Sequence, residues 1–216
     1  MRYILTSIFL LWATVAHAQE PQNIHLLKEK IISYHKSGEY YRDINKTIND
    51  AKTCLETCIK DTNIQNKKNA IILDIDDTSL HLLNYNNKLA FGINQKELES
   101  IVMKADALPI MPTLNLYNFA KSHGIAVFFI SGRFEAWREL TIKNLKKAGY
   151  KDWDGLYLRS DPTLYKTNYS FKSIIRKLIR SQGYNIIANI GDQESDLADD
   201  SVSCKFKLPN PHYFTR

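Results

Sequence analysis

The feature that most constrains this chain is an apolar run, Ala70 to Leu73, that leads into three carboxylates within four positions: Asp74, Asp76 and Asp77. A short isoleucine-rich run bounded by polar residues is typical of a strand buried on both faces of a sheet. In open α/β sheets, ligands bind just beyond the carboxyl ends of such strands. Because strand side chains alternate, Asp74 and Asp76 are predicted to share a face, with Asp77 turned elsewhere. Taken alone, a strand followed by an acidic capping turn is an equally good interpretation.

A second apolar run, residues 125–130, leads into Ser131-Gly132-Arg133. A hydroxyl followed by glycine at a strand end can offer an O–H and bare backbone N–H groups to an anion. On its own, this stretch is more simply interpreted as an ordinary junction between a strand and a turn. The functional interpretation depends on whether other strand ends carry matching groups.

A further apolar run, residues 184–190, closes on Gly191-Asp192, and Asp196 follows four residues after Asp192. Because ligands gather at the carboxyl edge of a parallel sheet, we expect these carboxylates to lie near Asp74. Neighbouring carboxylates repel unless a cation lies between them or one is protonated. Oxygen ligands without histidine or cysteine suit Mg²⁺, which typically bridges to a phosphate. The three strand ends together predict a cation site beside anion-binding donors.

Residues 171–183 carry the periodicity of an amphipathic helix, with apolar residues recurring three and four positions apart. Lys172 lies in the predicted first turn of this helix, where a cation opposes the helix dipole. We therefore expect a compensating anion close to Lys172. Arg180, on the same helix, is predicted to lie on an exposed basic face.

Alternating strands and helices predict an α/β fold, a Rossmann-like, doubly wound parallel sheet with helices on both faces. Residues 19–216 are predicted to form a single domain, in which residues 19–68 are a helical section beside the sheet. Residues from about 81 to 111 follow the first strand and contain one predicted helix, 95–104; they are predicted to form a small cap over the site. The other predicted elements are helices at 113–123 and 135–149 and strands at 155–158 and 206–211.

The N-terminus carries the pattern of a cleavable secretory signal over residues 1–18. Arg2 precedes an apolar stretch, residues 3–16, and Ala-His-Ala at 16–18 supplies a small-residue cleavage site. The apolar stretch is shorter than the roughly 20 residues that span a bilayer. We therefore expect a mature chain beginning near Gln19 that is secreted or periplasmic and that does not bind a membrane once the signal is removed.

The composition gives a modest basic excess, with 29 lysines and arginines against 23 aspartates and glutamates and a net charge of +6. Cleavage of the signal removes Arg2 and leaves about +5. Nucleic acid is not an expected partner, because the basic residues are not clustered among aromatics. A pocket of carboxylates also repels phosphate unless a metal is bound.

Three cysteines, Cys54, Cys58 and Cys204, would lie in an oxidising compartment. Their odd number leaves at least one unpaired or paired between chains. Cys54 and Cys58 are four apart in a helical pattern, a poor geometry for a mutual bond, which leaves open a long-range bond to Cys204. A metal site is disfavoured because no histidine or further cysteine lies at ligand spacing.

Four motifs, in this order, resemble those of the haloacid dehalogenase-like superfamily: Asp74-Ile75-Asp76-Asp77-Thr78, Phe129-Ile130-Ser131-Gly132-Arg133, Lys172, and Gly191-Asp192-Gln193-Glu194-Ser195-Asp196. The chain most resembles the secreted acid phosphatase branch, which includes class B-type bacterial enzymes and plant vegetative storage proteins. The likeness also includes residues 107–109, 144–150, 171–173, 183–184, 189–193 and 206–211. It thus covers nearly everything from Ile71 onward, whereas the helices before Lys60 match less well.

The resemblance implies a mechanism for the acidic residues. Asp74 would be the nucleophile that attacks phosphorus and forms an aspartyl-phosphate. Asp76 would protonate the leaving oxygen and then deprotonate the attacking water. Mg²⁺ would be held by the Asp74 carboxylate, the Asp76 backbone carbonyl and Asp192. Many relatives have glutamate where this chain has Asp77, and we expect little effect because that residue points away from the nucleophile.

The resemblance also implies how a phosphate is bound and how the site is supported. Ser131, the N–H groups that follow it at Gly132, and Lys172 would bind the phosphoryl oxygens. Asp196 would hold Lys172 or a metal-bound water, and Thr78 would brace the first loop. These residues complete the set expected at the site.

The implied function is a Mg²⁺-dependent acid phosphatase that hydrolyses small phosphate monoesters, with nucleoside monophosphates among the candidate substrates. Tyr85, Phe91, Tyr165 or Tyr169 could stack on an aromatic leaving group, although tyrosine-rich segments are more often packing. The alternative is a non-catalytic storage or binding protein of the same fold. The presence of Asp74 argues against it.

Overall fold

The computed structural model describes residues 20–61, 67–82, 95–160, 167–202 and 204–215 of the 216-residue chain. The predicted signal peptide, residues 1–18, lies outside these ranges and stays a prediction. Within the ranges, no helix combines the length and the apolar character needed to cross a membrane.

Seven strands form two sheets in the described residues. In chain order they are β1 (Lys68–Leu73), β2 (Leu80–His81), β3 (Leu108–Pro109), β4 (Ala126–Phe134), β5 (Gly155–Arg159), β6 (Tyr184–Gly191) and β7 (Cys204–Lys207). The main sheet has the order β5-β4-β1-β6-β7, and every neighbouring pair in it is parallel. Because β1 is the central strand, the segment after it lies between the ends of β4 and β6.

The helices of the described ranges lie before and between the strands. They are α1 (Ile24–Lys36), α2 (Glu39–Lys60), α3 (Gln95–Lys104), α4 (Met111–Ser122), α5 (Arg138–Lys147), α6 (Asn168–Ser181) and α7 (Glu194–Leu197), with a 3₁₀ turn at Glu135–Trp137.

The apolar run of β1 is buried on both faces, as its sequence predicts. Ile71 and Leu73 join a core built with α2, α4 and α5, whereas Ala70 and Ile72 join a second core that includes apolar residues of α6. The predicted α/β fold, a parallel sheet covered by helices on both faces, is therefore confirmed. Its central strand delivers Asp74 to the carboxyl edge.

Several predicted boundaries differ from the structure. The helix predicted from residue 113 begins at Met111, because Pro112 fits the first turn of a helix, where no N–H is needed. The helix predicted from residue 171 begins at Asn168, where Thr167 and Ser170 form a capping box. Lys172 therefore lies in the second turn of α6, so the prediction that it opposes the helix dipole from the first turn is wrong.

The segment predicted as a small cap is described in part. Its base is closed by antiparallel pairing of β2 with β3, and helix α3 occupies the predicted residues 95–104. Residues 83–94 lie outside the described ranges. The assignment of 81–111 as a cap, like the single-domain boundary 19–216, stays a prediction.

A disulfide joins Cys54 of α2 to Cys204 of β7, so the long-range bond left open by the sequence is the one that forms. Cys58 is free. The bond closes a separation of 150 residues and fastens the N-terminal helical section to the edge strand of the sheet.

Candidate active site

Three buried carboxylates meet at the carboxyl edge of the sheet. Asp74 follows β1, Asp192 follows β6, and Asp196 lies in α7; each offers an oxygen within 4.8 Å of the other two. Lys172 of α6 donates from Nζ to Asp74 Oδ1 at 2.5 Å and also to Asp196. The anion expected near Lys172 is thus a pair of carboxylates.

The charges of this cluster are only partly balanced. Burial raises the pKa of Asp74 well above its ordinary value although Lys172 lowers it, and burial followed by the charge of Asp196 raises the pKa of Asp192 to about 7. Burial opposes the charged form of Lys172, but Asp196 and Asp74 outweigh it and raise its pKa. One ammonium does not neutralise three carboxylates, so the charge of the cluster favours binding of a further cation.

Asp192 is oriented by three neighbours. Thr78 donates from Oγ1 to Asp192 Oδ1 at 3.1 Å. Gln193 Nε2 and Asn210 Nδ2 each donate to Asp192 Oδ2 at 2.6 Å. Thr78 therefore supports the carboxylate that follows β6, in addition to lying in the loop after β1.

Asp76 shares the cavity with Asp74, as strand alternation predicts. Its carboxylate is turned toward Arg133 of β4, which donates from Nε to both oxygens at 3.1 and 3.0 Å and from Nη2 to Oδ1 at 2.6 Å. The metal contact expected for Asp76 is through its backbone carbonyl and stays a prediction.

Asp77 does not line the cavity that Asp74 and Asp76 share, and its side chain makes contacts of its own. It is buried, has a φ of 50°, and accepts the N–H of Leu82 on Oδ1 at 2.8 Å. Its side chain thereby fixes the start of the predicted cap segment, a role that the sequence did not indicate.

The expected phosphate-binding residues line the same cavity of about 130 Å³. Ser131 is buried, and its Oγ accepts the backbone N–H of Arg133 at 3.2 Å. A Cβ at Gly132 would lie 2.8 Å from Oδ1 of Asn168, the first residue of α6, so the Asn168 side chain would have to shift. Tyr213 from the C-terminal segment also lines the cavity.

Of the four aromatic residues proposed for stacking, only Tyr169 is among the described residues, and it does not line this cavity. Tyr169 lies exposed on α6, beside Arg176 and Arg180, outside the cavity lining. Tyr85, Phe91 and Tyr165 lie outside the described residues. Tyr213, which no pattern in the sequence pointed to, faces the carboxylates; burial first, and then their charges, raise its pKa.

The cluster suits a hard divalent cation. Its donors are carboxylate oxygens, without histidine or cysteine sulfur, which is the preference of Mg²⁺ and Ca²⁺. Burial first, and then the neighbouring carboxylates, raise the pKa values of Asp74 and Asp192, and a bound cation would favour the charged form of both. Asp74 and Asp192 can hold the ion, whereas both oxygens of Asp196 already accept hydrogen bonds, Oδ1 from Lys172 and Oδ2 from the N–H of Gln193 at 2.9 Å.

Comparisons with known proteins agree with this geometry. The family model described as HAD superfamily, subfamily IIIB (Acid phosphatase), matches residues 8–216. The chain is 36% identical to the stem 31 kDa glycoprotein of Glycine max over 82% of this chain and 70% of that protein. It is 37% identical to acid phosphatase 1 of Solanum lycopersicum over 66% of this chain, and spans 58% of that enzyme's length.

A similar fold is found in a solved structure, the class C acid phosphatase of Bacillus anthracis. The TM-score is 0.71 at 23% sequence identity, covering 88% of this chain and 86% of the other. At that identity, the likeness supports the fold of the chain.

Proposed function

The chain belongs to the acid phosphatases of the HAD superfamily, subfamily IIIB, a family of phosphomonoester hydrolases, and we propose that it cleaves phosphate monoesters with Mg²⁺ through an aspartyl-phosphate at Asp74. The observation that carries the proposal is the cluster of Asp74, Asp192, Asp196 and Lys172 at the carboxyl edge of the sheet. A cation site and a lysine beside one candidate nucleophile are what phosphoryl transfer needs.

In the first step, a carboxylate oxygen of Asp74 forms a bond to phosphorus as the bond to the leaving oxygen breaks. Lys172 holds Oδ1 of Asp74 at 2.5 Å, which orients the carboxylate before substrate arrives. Asp76 gives a proton to the leaving oxygen. In the second step Asp76 takes a proton from water, which attacks phosphorus and frees Asp74.

The phosphoryl group is stabilised by donors on two elements. The Ser131 hydroxyl and the N–H at Gly132 come from β4, and the ammonium of Lys172 comes from α6. Mg²⁺, held by Asp74, Asp192 and the Asp76 carbonyl, would neutralise charge on the phosphoryl oxygens. Asp196 would keep Lys172 in place.

The substrates proposed are small phosphomonoesters, with nucleoside monophosphates among them, and the compartment is the secretory or periplasmic one. The small, half-enclosed cavity supports a small substrate, and the Cys54–Cys204 disulfide supports an oxidising compartment. Nothing in the described residues favours a storage role over catalysis.

An aryl phosphate assay with and without EDTA tests the proposal. We expect turnover that EDTA abolishes and excess Mg²⁺ restores, and that falls by roughly four orders of magnitude or more in Asp74→Asn. Asp50→Asn, an exposed change on α2, is the matched control and should leave activity unchanged. Undiminished turnover in Asp74→Asn would rule out this nucleophile, and a wild-type chain without turnover would favour a storage protein.

A further inference from the structure

Arg133 is a buried cation to which the proposed function gives no task. Its side chain is 1% exposed, at the end of β4, and directs most of its donors to Asp76. The remaining contact runs from Nη1 to Thr141 Oγ1 of α5 at 3.2 Å. Burying a guanidinium is unfavourable unless its charge and donors are matched, so the pairing with Asp76 must hold in the folded chain.

The contact is a forked one that fixes the plane of the Asp76 carboxylate. Nε lies 3.1 and 3.0 Å from Oδ1 and Oδ2, and Nη2 lies 2.6 Å from Oδ1. A guanidinium fork of this kind sets orientation as well as distance, which an ammonium does not. Oδ1 accepts two N–H groups from Arg133 and Oδ2 accepts one, so Oδ2 is the oxygen with more room for a contact to substrate.

The same residue also reaches the phosphate-binding stretch. The backbone N–H of Arg133 donates to Ser131 Oγ at 3.2 Å. Through its side chain and its backbone, Arg133 therefore links the donor expected at the phosphoryl group to the carboxyl expected at the leaving oxygen. In-line transfer requires that these two groups keep a fixed position relative to each other.

We propose that Arg133 is a positioning residue that holds Asp76 with Oδ2 toward the leaving oxygen, so that proton delivery to the leaving group depends on the fork. This inference rests on the proposed function, in which Asp76 is the acid and the base. Arg133 lines the cavity, but its side-chain donors are directed to Asp76 and Thr141, so its effect passes through Asp76.

The dependence of the rate on the leaving group tests this role. An alkyl phosphate needs a proton on its leaving oxygen, whereas nitrophenolate leaves without one. In Arg133→Met we expect single-turnover cleavage of ethyl phosphate to fall by about 10² to 10⁴-fold, the scale of general acid catalysis. The first-turnover release of nitrophenolate from nitrophenyl phosphate should fall by less than about 10-fold.

A double-mutant cycle shows whether the effect passes through Asp76. In the Asp76→Asn background, Arg133→Met should change ethyl phosphate cleavage by less than about twofold, because the group it orients is already lost. Arg133→Lys keeps the charge without the fork and should retain the unequal loss between the two substrates. If Arg133→Met does not fold, Arg133→Lys is measured in its place. Arg138→Met, a partly exposed arginine of α5, is the control and should change neither rate.

Equal losses for the two substrates, or independent effects of Arg133 and Asp76 in the cycle, would overturn the positioning role. Wild-type enzyme that cleaves neither ester would instead contradict the proposed function. The two failures are therefore distinguishable.

Discussion

Lys172 lies between Asp74 and Asp196, and this pairing explains how several charges can be buried at one point. A buried ammonium is tolerated when carboxylates surround it, and here their attraction exceeds the effect of burial. Gly191 makes space for the cluster because it has no side chain, since a Cβ at this position would overlap Asp196. A side chain at position 191 would therefore displace Asp196 from the cluster.

We expect Lys172→Met to remove most activity and to lower the free energy of unfolding by about 3–5 kcal/mol, the range for a buried ion pair that loses one partner. Lys177→Met, at an exposed position of the same helix, should change it by no more than about 0.5 kcal/mol. Urea denaturation measures both variants. A Lys172→Met chain as stable as wild type would show that the ammonium is not needed to balance the carboxylates.

The segment after β7 is the element that completes the site from the C-terminal side. Asn210 donates to Asp192, and the N–H of Thr215 donates to Gln193 Oε1 at 3.2 Å. On its outer side, His212 Nε2 lies 2.8 Å from His35 Nε2 of α1. The N-terminal helix and the C-terminal segment therefore hold each other beside the site.

This contact predicts a loss of stability in acid. Burial first, and then His212 and His81, lower the pKa of His35 to about 4 from its ordinary 6.5. As pH falls from about 6.5 to 4, the unfolded chain takes up the proton before the folded chain does, so stability decreases across that window. The melting temperature of His35→Gln should fall less than that of wild type over the same range. His25→Gln, exposed on α1, is the control, and an unchanged pH profile in His35→Gln would contradict the prediction.

The Cys54–Cys204 disulfide is a second link, after the His35–His212 contact, between the N-terminal helical section and the rest of the domain. Constraint of a loop of 150 residues in the unfolded chain predicts that Cys204→Ala lowers the free energy of unfolding by about 2–4 kcal/mol. Cys204 is the better target because Cys58 stands near the bond and could replace Cys54 in it. Denaturation of Cys58→Ala provides the control and should differ little from wild type. Equal stability of the two variants would contradict this role.

At the scale of the whole molecule, the sequence predicted the parallel sheet because its strands are short apolar runs that end in polar residues. Once the strands are parallel, Asp74 and Asp192 must approach one another, as they do. Local patterns also located α3 without error. These features depend on periodicity and on strand ends, which a single sequence records.

Other features depend on contacts between distant segments, which carry no local pattern. Asn210 reaches Asp192 across 18 positions, and Arg133 reaches Asp76 across 57. The start of α6 was misplaced because its capping box uses Thr167 and Ser170 ahead of the apolar periodicity. Arg133 was visible as part of a motif, but its partner could only be found in three dimensions.

Metal binding can be measured apart from activity. A cation that binds only the folded chain raises stability, by about 2.7 kcal/mol at 100 times its dissociation constant. We expect Mg²⁺ to raise the melting temperature of wild type and of Asp50→Asn, and to leave Asp192→Asn unchanged, with sodium chloride matching the ionic strength. An equal rise in Asp192→Asn would place the ion elsewhere.

Trapping the phosphoenzyme tests the proposed nucleophile most directly. Enzyme mixed with substrate and Mg²⁺ is quenched within one turnover, reduced with borohydride to convert an acyl phosphate into a stable alcohol, and mapped by mass spectrometry. We expect modification at Asp74 that requires both substrate and Mg²⁺. Modification at another residue, or continued turnover with no modified residue, would contradict it.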